Sequence, residues 1–118
     1  MSNNFEDLIV WQKSHELVLG IYKATKDFPS HEKYRLTDQI CRSASSVAAN
    51  IVEGNSRKHP KEFLQFINTA YASLEETKYH LLLARDLGYL KPKDYEGLID
   101  KATEINKMLN SLRKYLTR

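Results

Sequence analysis

Residues 36–54 carry two stripes of side chains, one apolar and one polar, at the spacing of a single helix. The apolar stripe is typical of a helix that packs on a core; it comprises Leu36, Ile40, Ala44, Val47 and Ile51. The polar stripe keeps the same period about a third of a turn away; it comprises Gln39, Arg42, Ser46, Asn50 and Glu53. A solvated helix face normally carries many Lys and Glu residues, whereas this segment has three charged side chains in all. We therefore predict that the helix is contacted on two sides, and that the second contact comes from another chain.

The composition favours long helices in one soluble domain. The 118 residues include only four Gly and three Pro, and they are 42% hydrophobic and 28% charged. We expect residues 1–118 to form a single domain with one core. The net charge of +3 is too small by itself to indicate a nucleic-acid-binding protein. The single cysteine, Cys41, excludes an internal disulfide and any zinc site with several cysteines.

The N-terminal residues lack the basic and apolar regions of a signal peptide. No run of residues approaches the roughly 18 apolar residues that a membrane-spanning helix needs. We therefore expect a cytoplasmic protein with no membrane partner.

Four segments show the periodicity and the end signals of helices. They cover residues 4–28, 36–54, 60–87 and 92–116. Gly54 is predicted as the C′ residue of the second helix, and Gly88 is predicted to stop the third. Pro60 and Pro92 suit the first turns of the third and fourth helices. Because short connections force neighbouring helices to run antiparallel, the predicted fold is all-α, an antiparallel up-down-up-down four-helix bundle.

The other three helices each have a predicted core face. The first presents Trp11, Ser14, His15, Val18, Ile21, Tyr22 and Thr25; the third presents Phe63, Phe66, Ile67, Ala70, Leu74 and Leu81; the fourth presents Tyr95, Leu98, Ala102, Ile105, Leu109, Leu112 and Leu116. The third helix also has a second stripe at heptad-like spacing, formed by Leu64, Asn68, Tyr71, Glu75, Lys78 and Leu82. Two neighbouring helices with second stripes favour a homo-oligomer over the alternative, a monomer with one wide, semi-polar helix flank.

Counting residues back from the turn near Arg57 brings two charged pairs level on the second and third helices. Arg42 meets Glu75, and Glu53 lies near Lys61. We predict a buried polar seam that fixes the register of the helices; it comprises Gln39, Arg42, Ser46, Asn50, Glu53 and Glu75. If the carboxylate partner of Arg42 stays buried, Arg42→Ala is expected to cost ~3 kcal/mol.

The sequence gives little support to catalytic, cofactor or metal chemistry. A di-metal bundle uses Glu-x-x-His on two helices, and this spacing does not occur here. Ser43, Ser45 and Ser46 lie in the middle of a helix, away from the strand-to-helix turn that exposes a nucleophilic serine. There is no glycine-rich phosphate loop, and the four histidines are scattered. We expect no enzyme, no cofactor and no metal.

The densest basic patch is the loop at residues 55–61, which contains Arg57, Lys58 and Lys61. It adjoins the positive end of the third helix, where an anion is favoured. Several copies of the loop around a ring would add their affinities for a polyanion such as RNA or DNA. A second basic group lies at the C-terminal end; it comprises Arg113, Lys114 and Arg118. The alternative is a solvated loop that aids solubility.

The chain resembles the bacterial four-helix-bundle proteins known as the ribosomal RNA intervening-sequence protein family. The resemblance covers nearly the whole chain, in the strings FEDLIVWQKSHELVLGIYKATKDFP, YRLTDQICRSASSVAANIVEGNSRKHPKEFLQF and SLEETKYHLLLARDLGYL. It implies a ring-like homopentamer. It also implies similarity to the accessory variability protein of diversity-generating retroelements, a basic pentameric barrel that binds nucleic acid and a reverse transcriptase. The family often has a small residue where His59 stands here, a departure that bears on the N-cap of the third helix.

Three hypotheses follow for the function. The first is a non-enzymatic homo-oligomeric bundle, pentameric as the resemblance implies, that acts as a scaffold or nucleic-acid-associated module. The second is an adaptor for a protein partner that makes no contact with nucleic acid. The third is a metal-binding or enzymatic bundle that uses the polar groups of the second helix.

Overall fold

The protein is an antiparallel four-helix bundle in the computed structural model, which describes residues 4–118. The helices are α1 (Ile9–Thr25), α2 (Leu36–Asn55), α3 (Pro60–Asp86) and α4 (Pro92–Leu116). Short 3-10 turns, Phe5–Asp7 and Ser30–Glu32, precede α1 and α2. Both α1 and α3 pack against α2 and α4. The predicted all-α, up-down-up-down bundle is confirmed.

The ends of the helices follow their end signals, with one exception at the N-terminus. Pro60 and Pro92 occupy the first turns of α3 and α4, as predicted. Gly88 follows α3 with a φ angle of +80°, a left-handed conformation that favours glycine. The first helix begins at Ile9 and not at Asn4, because Leu8 is extended and separates the 3-10 turn from α1.

Gly54 lies inside α2, and its predicted role as the C′ residue is wrong. The helix continues to Asn55, and Gly54 itself is buried against α3. A Cβ atom at this position would lie 2.8 Å from Cδ1 of Phe63 and 3.0 Å from Cβ of Phe66. The glycine is therefore a point of close approach between two helices.

The core contains the predicted faces of α2 and α4, whereas the face of α1 is rotated from the prediction. All five apolar positions of the α2 stripe are buried, as are the four central positions of the α4 seam. On α1 the buried residues are Val10, Ser14, Leu17, Ile21 and Thr25. Leu17 is completely buried, while the predicted core residue Tyr22 is 50% exposed. Since apolar residues surround most of α1, the periodicity alone does not identify its buried face.

None of the helices within residues 4–118 is both long enough and apolar enough to span a membrane.

Candidate interaction surfaces

Ser46 and Asn50 of the polar stripe turn towards α3 and bond within the chain. The Ser46 hydroxyl lies 2.8 Å from the Ser73 hydroxyl, across the contact between α2 and α3. The Asn50 amide donates to the Ser46 hydroxyl at 3.0 Å and to its backbone carbonyl at 2.8 Å. These two positions therefore need no second chain to satisfy their polar groups.

The hydroxyl seam between α2 and α3 continues into the core, where the sequence analysis identified no site. The buried Thr77 hydroxyl donates to the Ser43 hydroxyl at 2.9 Å, and its oxygen lies 2.8 Å from the Ser73 carbonyl oxygen. Small side chains and paired hydroxyls let α2 and α3 pack closely without unpaired polar atoms. The signal was available in the recurrence of Ser and Thr on facing helices.

The three remaining residues of the stripe, Gln39, Arg42 and Glu53, are exposed on the outer surface of α2. We call this surface the α2 ridge. The predicted ion pairs of Arg42 with Glu75 and of Glu53 with Lys61 do not form among residues 4–118. The ridge thus presents one cation and one anion to the outside.

Glu75 instead belongs to a polar network between α3 and α4. Its Oε1 atom lies 3.2 Å from Nζ of Lys78 and accepts a hydrogen bond from the Asn106 amide at 3.0 Å. Lys78 in turn donates to Oδ1 of Asn106 at 3.0 Å. Asn106 is buried beside the apolar seam of α4, so its amide orders both charged groups. Sequence analysis missed Asn106, whose only signal is a polar residue between two core positions.

The basic loop lies at the α2–α3 turn, with Arg57, Lys58 and Lys61 all exposed. The Arg57 guanidinium lies over the ring of Phe66, 4.7 Å from its centroid. This contact restrains the arginine while leaving it accessible. His59 occupies the N-cap of α3 and makes no capping bond through its side chain.

The second basic group lies at the end of α4, next to the first half of α3. The Arg113 guanidinium lies over the ring of Tyr71, 4.5 Å from its centroid. Arg118 lies over Tyr115, at 5.9 Å, and this tyrosine is 64% exposed. Both basic groups thus contain arginines held on aromatic rings.

The outer surface of α1 exposes large apolar side chains, and we call it the α1 stripe. Ile9 is 59% exposed, Leu19 is 56% exposed and Tyr22 is 50% exposed. Between them the Trp11 ring stacks on His15, with centroids 4.9 Å apart and planes within 9°. The sequence analysis placed Trp11, His15 and Tyr22 in the core, so this surface was not predicted.

At the opposite end of the bundle, a hydrogen bond joins the segment before α2 to the α3–α4 turn. The Tyr89 hydroxyl donates to Oε2 of Glu32 at 2.8 Å, and Oε1 of Glu32 accepts the backbone N–H of Leu36 at 3.3 Å. The Tyr89 hydrogen bond lowers the pKa of the Glu32 carboxyl against the effect of burial, and it raises the pKa of Tyr89. The contact holds the start of α2 in place.

Two grooves and one buried histidine complete the polar features of the surface. The larger groove, about 370 Å³, lies between α1 and α4 and is lined by Lys23, Asp27, Lys93 and their neighbours. His80 is buried, with Nε2 3.1 Å from Oε2 of Glu76 and Nδ1 without a partner. Within the described residues, no three His, Cys, Asp or Glu side chains converge as a metal site would require.

Comparison with known proteins agrees with the fold and the sequence patterns. A crystal structure of a protein of unknown function from the S23 ribosomal protein family of Bacteroides thetaiotaomicron is similar to this chain, with 32% identity and a TM-score of 0.81. The similarity covers 90% of this chain and 99% of that one. None of the curated proteins matches the chain. Residues 6–111 match the description of one family. The protein therefore belongs to the 23S rRNA-intervening sequence protein family.

Proposed function

We propose that the protein is a non-enzymatic, homo-oligomeric bundle that serves in the cytoplasm as a scaffold associated with nucleic acid. The subunit number we propose is five, which the family resemblance implies. The α2 ridge supplies the contact between subunits, and the basic loop contacts phosphates. The observation that carries the proposal is the α2 ridge, whose charged side chains have no ion-pair partner among residues 4–118.

The α2 ridge has the properties of a contact surface between helices. Arg42 and Glu53 are separated by 11 residues, about 16 Å along the helix, too far to pair with each other. Exposed Ala49 lies between them on the same stripe and leaves room for a close approach. A neighbouring subunit that supplies a carboxylate for Arg42 and a cation for Glu53 would fix the register of the interface.

Native mass measurement tests the assembly. We expect the mass of five chains, and we expect Arg42→Ala combined with Glu53→Ala to shift the protein towards single chains. Glu104→Ala combined with Lys107→Ala, a charge-matched pair of exposed positions on α4, should leave the mass unchanged. A single-chain mass for the unsubstituted protein at all concentrations would exclude the oligomer.

Binding to labelled RNA tests the second part of the proposal. Because each phosphate contact releases counterions, affinity should fall steeply as salt rises. Substitution of Arg57, Lys58 and Lys61 by Ala should weaken binding and flatten its salt dependence. If this triple variant binds RNA as the original protein does, the loop has no role in binding.

A second candidate function, an adaptor for another protein, is favoured by the α1 stripe. Ile9, Leu19 and Tyr22 are each at least half exposed, and a cluster of exposed apolar side chains is typical of a protein contact. One protein that copurifies at a fixed ratio, survives nuclease and high salt, and is lost on Leu19→Ser would favour this function.

A further inference from the structure

The first half of α3 lies between two arginines that are each held over an aromatic ring. Arg57 lies over Phe66 and Arg113 lies over Tyr71. Phe66 and Tyr71 are about 140° apart around the helix and about 7.5 Å apart along it. The arginines therefore lie on opposite flanks of α3, Arg57 on the side of α2 and Arg113 on the side of α4.

The antiparallel register brings the end of α4 to the same level as the basic loop. Contacts between α3 and α4 run from Arg85 over Tyr95, through Lys78 with Asn106, to Tyr71 with Arg113. Continuing this register places residues 114–118 beside the first turns of α3, where Arg57 reaches Phe66. The two basic groups, separate in the sequence, thus lie at one end of the bundle.

The surface of α3 between these flanks is polar and uncharged. Residues 63–74 contain no charged side chain. Their exposed positions are Gln65, Asn68, Thr69 and Ala72. Amide side chains donate and accept hydrogen bonds, as the edges of nucleobases do. The strip can therefore contact bases and sugars without repelling phosphates.

This end of the bundle holds most of the chain's excess positive charge. Residues 5–9, 53–62 and 113–118 contain six basic and four acidic side chains, an excess of two within a chain of net charge +3. The acidic residues are Glu6, Asp7, Glu53 and Glu62. None of the four lies within the uncharged strip.

We propose that the strip and its two flanking arginines bind single-stranded nucleic acid, with phosphates at Arg57 and Arg113 and with bases over Gln65 and Asn68. A planar guanidinium held on a ring presents its outer N–H groups to a phosphate in a fixed orientation. Exposed Tyr115 beside Arg118 offers a ring on which an unpaired base stacks, and a duplex presents no such base. The inference rests on the proposed association with nucleic acid and adds the end of α4 to the binding surface.

Salt-dependent binding of labelled single-stranded RNA tests this proposal. Arg113→Gln combined with Arg118→Gln should weaken binding several-fold and reduce the slope of log K against log salt by about 1.4, or about 0.7 for each lost phosphate contact. Lys91→Gln combined with Lys93→Gln, at the other end of α4, removes the same charge and should change neither quantity. Arg113→Lys should keep the slope and still lower the affinity, because lysine lacks the planar fork.

Circular dichroism and native mass should be unchanged in every variant, so that a loss of binding reports the surface itself. If the double arginine variant binds like the double lysine control while the loop variant loses binding, this proposal fails and the proposed function stands. If the original protein does not bind RNA, both fail. Duplex RNA of the same sequence should bind more weakly, and equal or tighter duplex binding would overturn the single-stranded assignment.

Discussion

Gly54→Ala should destabilise the bundle, although alanine is the better helix former. The gain in helix propensity is at most about 1 kcal/mol, and it is reduced because Gly54 is the last residue but one of α2. The added Cβ would lie 3.0 Å from Cβ of Phe66, which is fixed to the α3 backbone and cannot rotate away. Overpacking of this kind costs about 1–3 kcal/mol. We expect the free energy of unfolding to fall by about 1–2 kcal/mol.

Two other glycines provide matched controls for this substitution. Gly97 has no atom within 4 Å of an added Cβ, so Gly97→Ala should stabilise the protein by about 0.5–1 kcal/mol. Gly20→Ala should lie between the two, since its contact is the flexible end of Leu98, at 2.9 Å. Urea unfolding followed by circular dichroism measures all three at one chain concentration, because the stability of an oligomer depends on concentration. Equal stabilities of Gly54→Ala and Gly97→Ala would refute the packing argument.

The remaining predictions concern charge and protonation. Arg42→Ala should change the free energy of unfolding of the isolated chain by less than about 0.5 kcal/mol, because Arg42 is exposed and unpaired among the described residues; a larger loss in dilute denaturation would show a missed partner. Tyr89→Phe should destabilise the protein at neutral pH. Because the pKa of Glu32 is lowered on folding, this stabilisation is present above the unfolded pKa and is lost as pH falls through the folded pKa, so the two proteins should converge in acid. A difference that persists in acid would contradict this linkage. The Cys41 thiol, whose pKa burial raises, should react with a thiol reagent at neutral pH far more slowly in the folded than in the unfolded protein.

The sequence by itself determined the number of helices, most of their ends and two of their buried faces. Pro60, Pro92 and Gly88 act through their own backbone preferences, which hold whatever packs around them. The apolar stripes of α2 and α4 are narrow and flanked by polar residues. Only one orientation of each helix buries its stripe, so periodicity alone was sufficient there.

The tertiary structure decided where the polar groups and the close contacts lie. Ser46 and Asn50 share a stripe with Arg42, yet they turn to α3 while Arg42 faces outwards, because the facing Ser73 lies within hydrogen-bonding reach of Ser46. Glu75 binds Asn106 of α4, a partner that no count along α2 and α3 contains. Helical periodicity fixes angles around one axis, whereas the distance and rotation between two axes depend on how their side chains interdigitate. Which polar group is buried, and which is left to meet a partner, was therefore determined only when the four helices packed together.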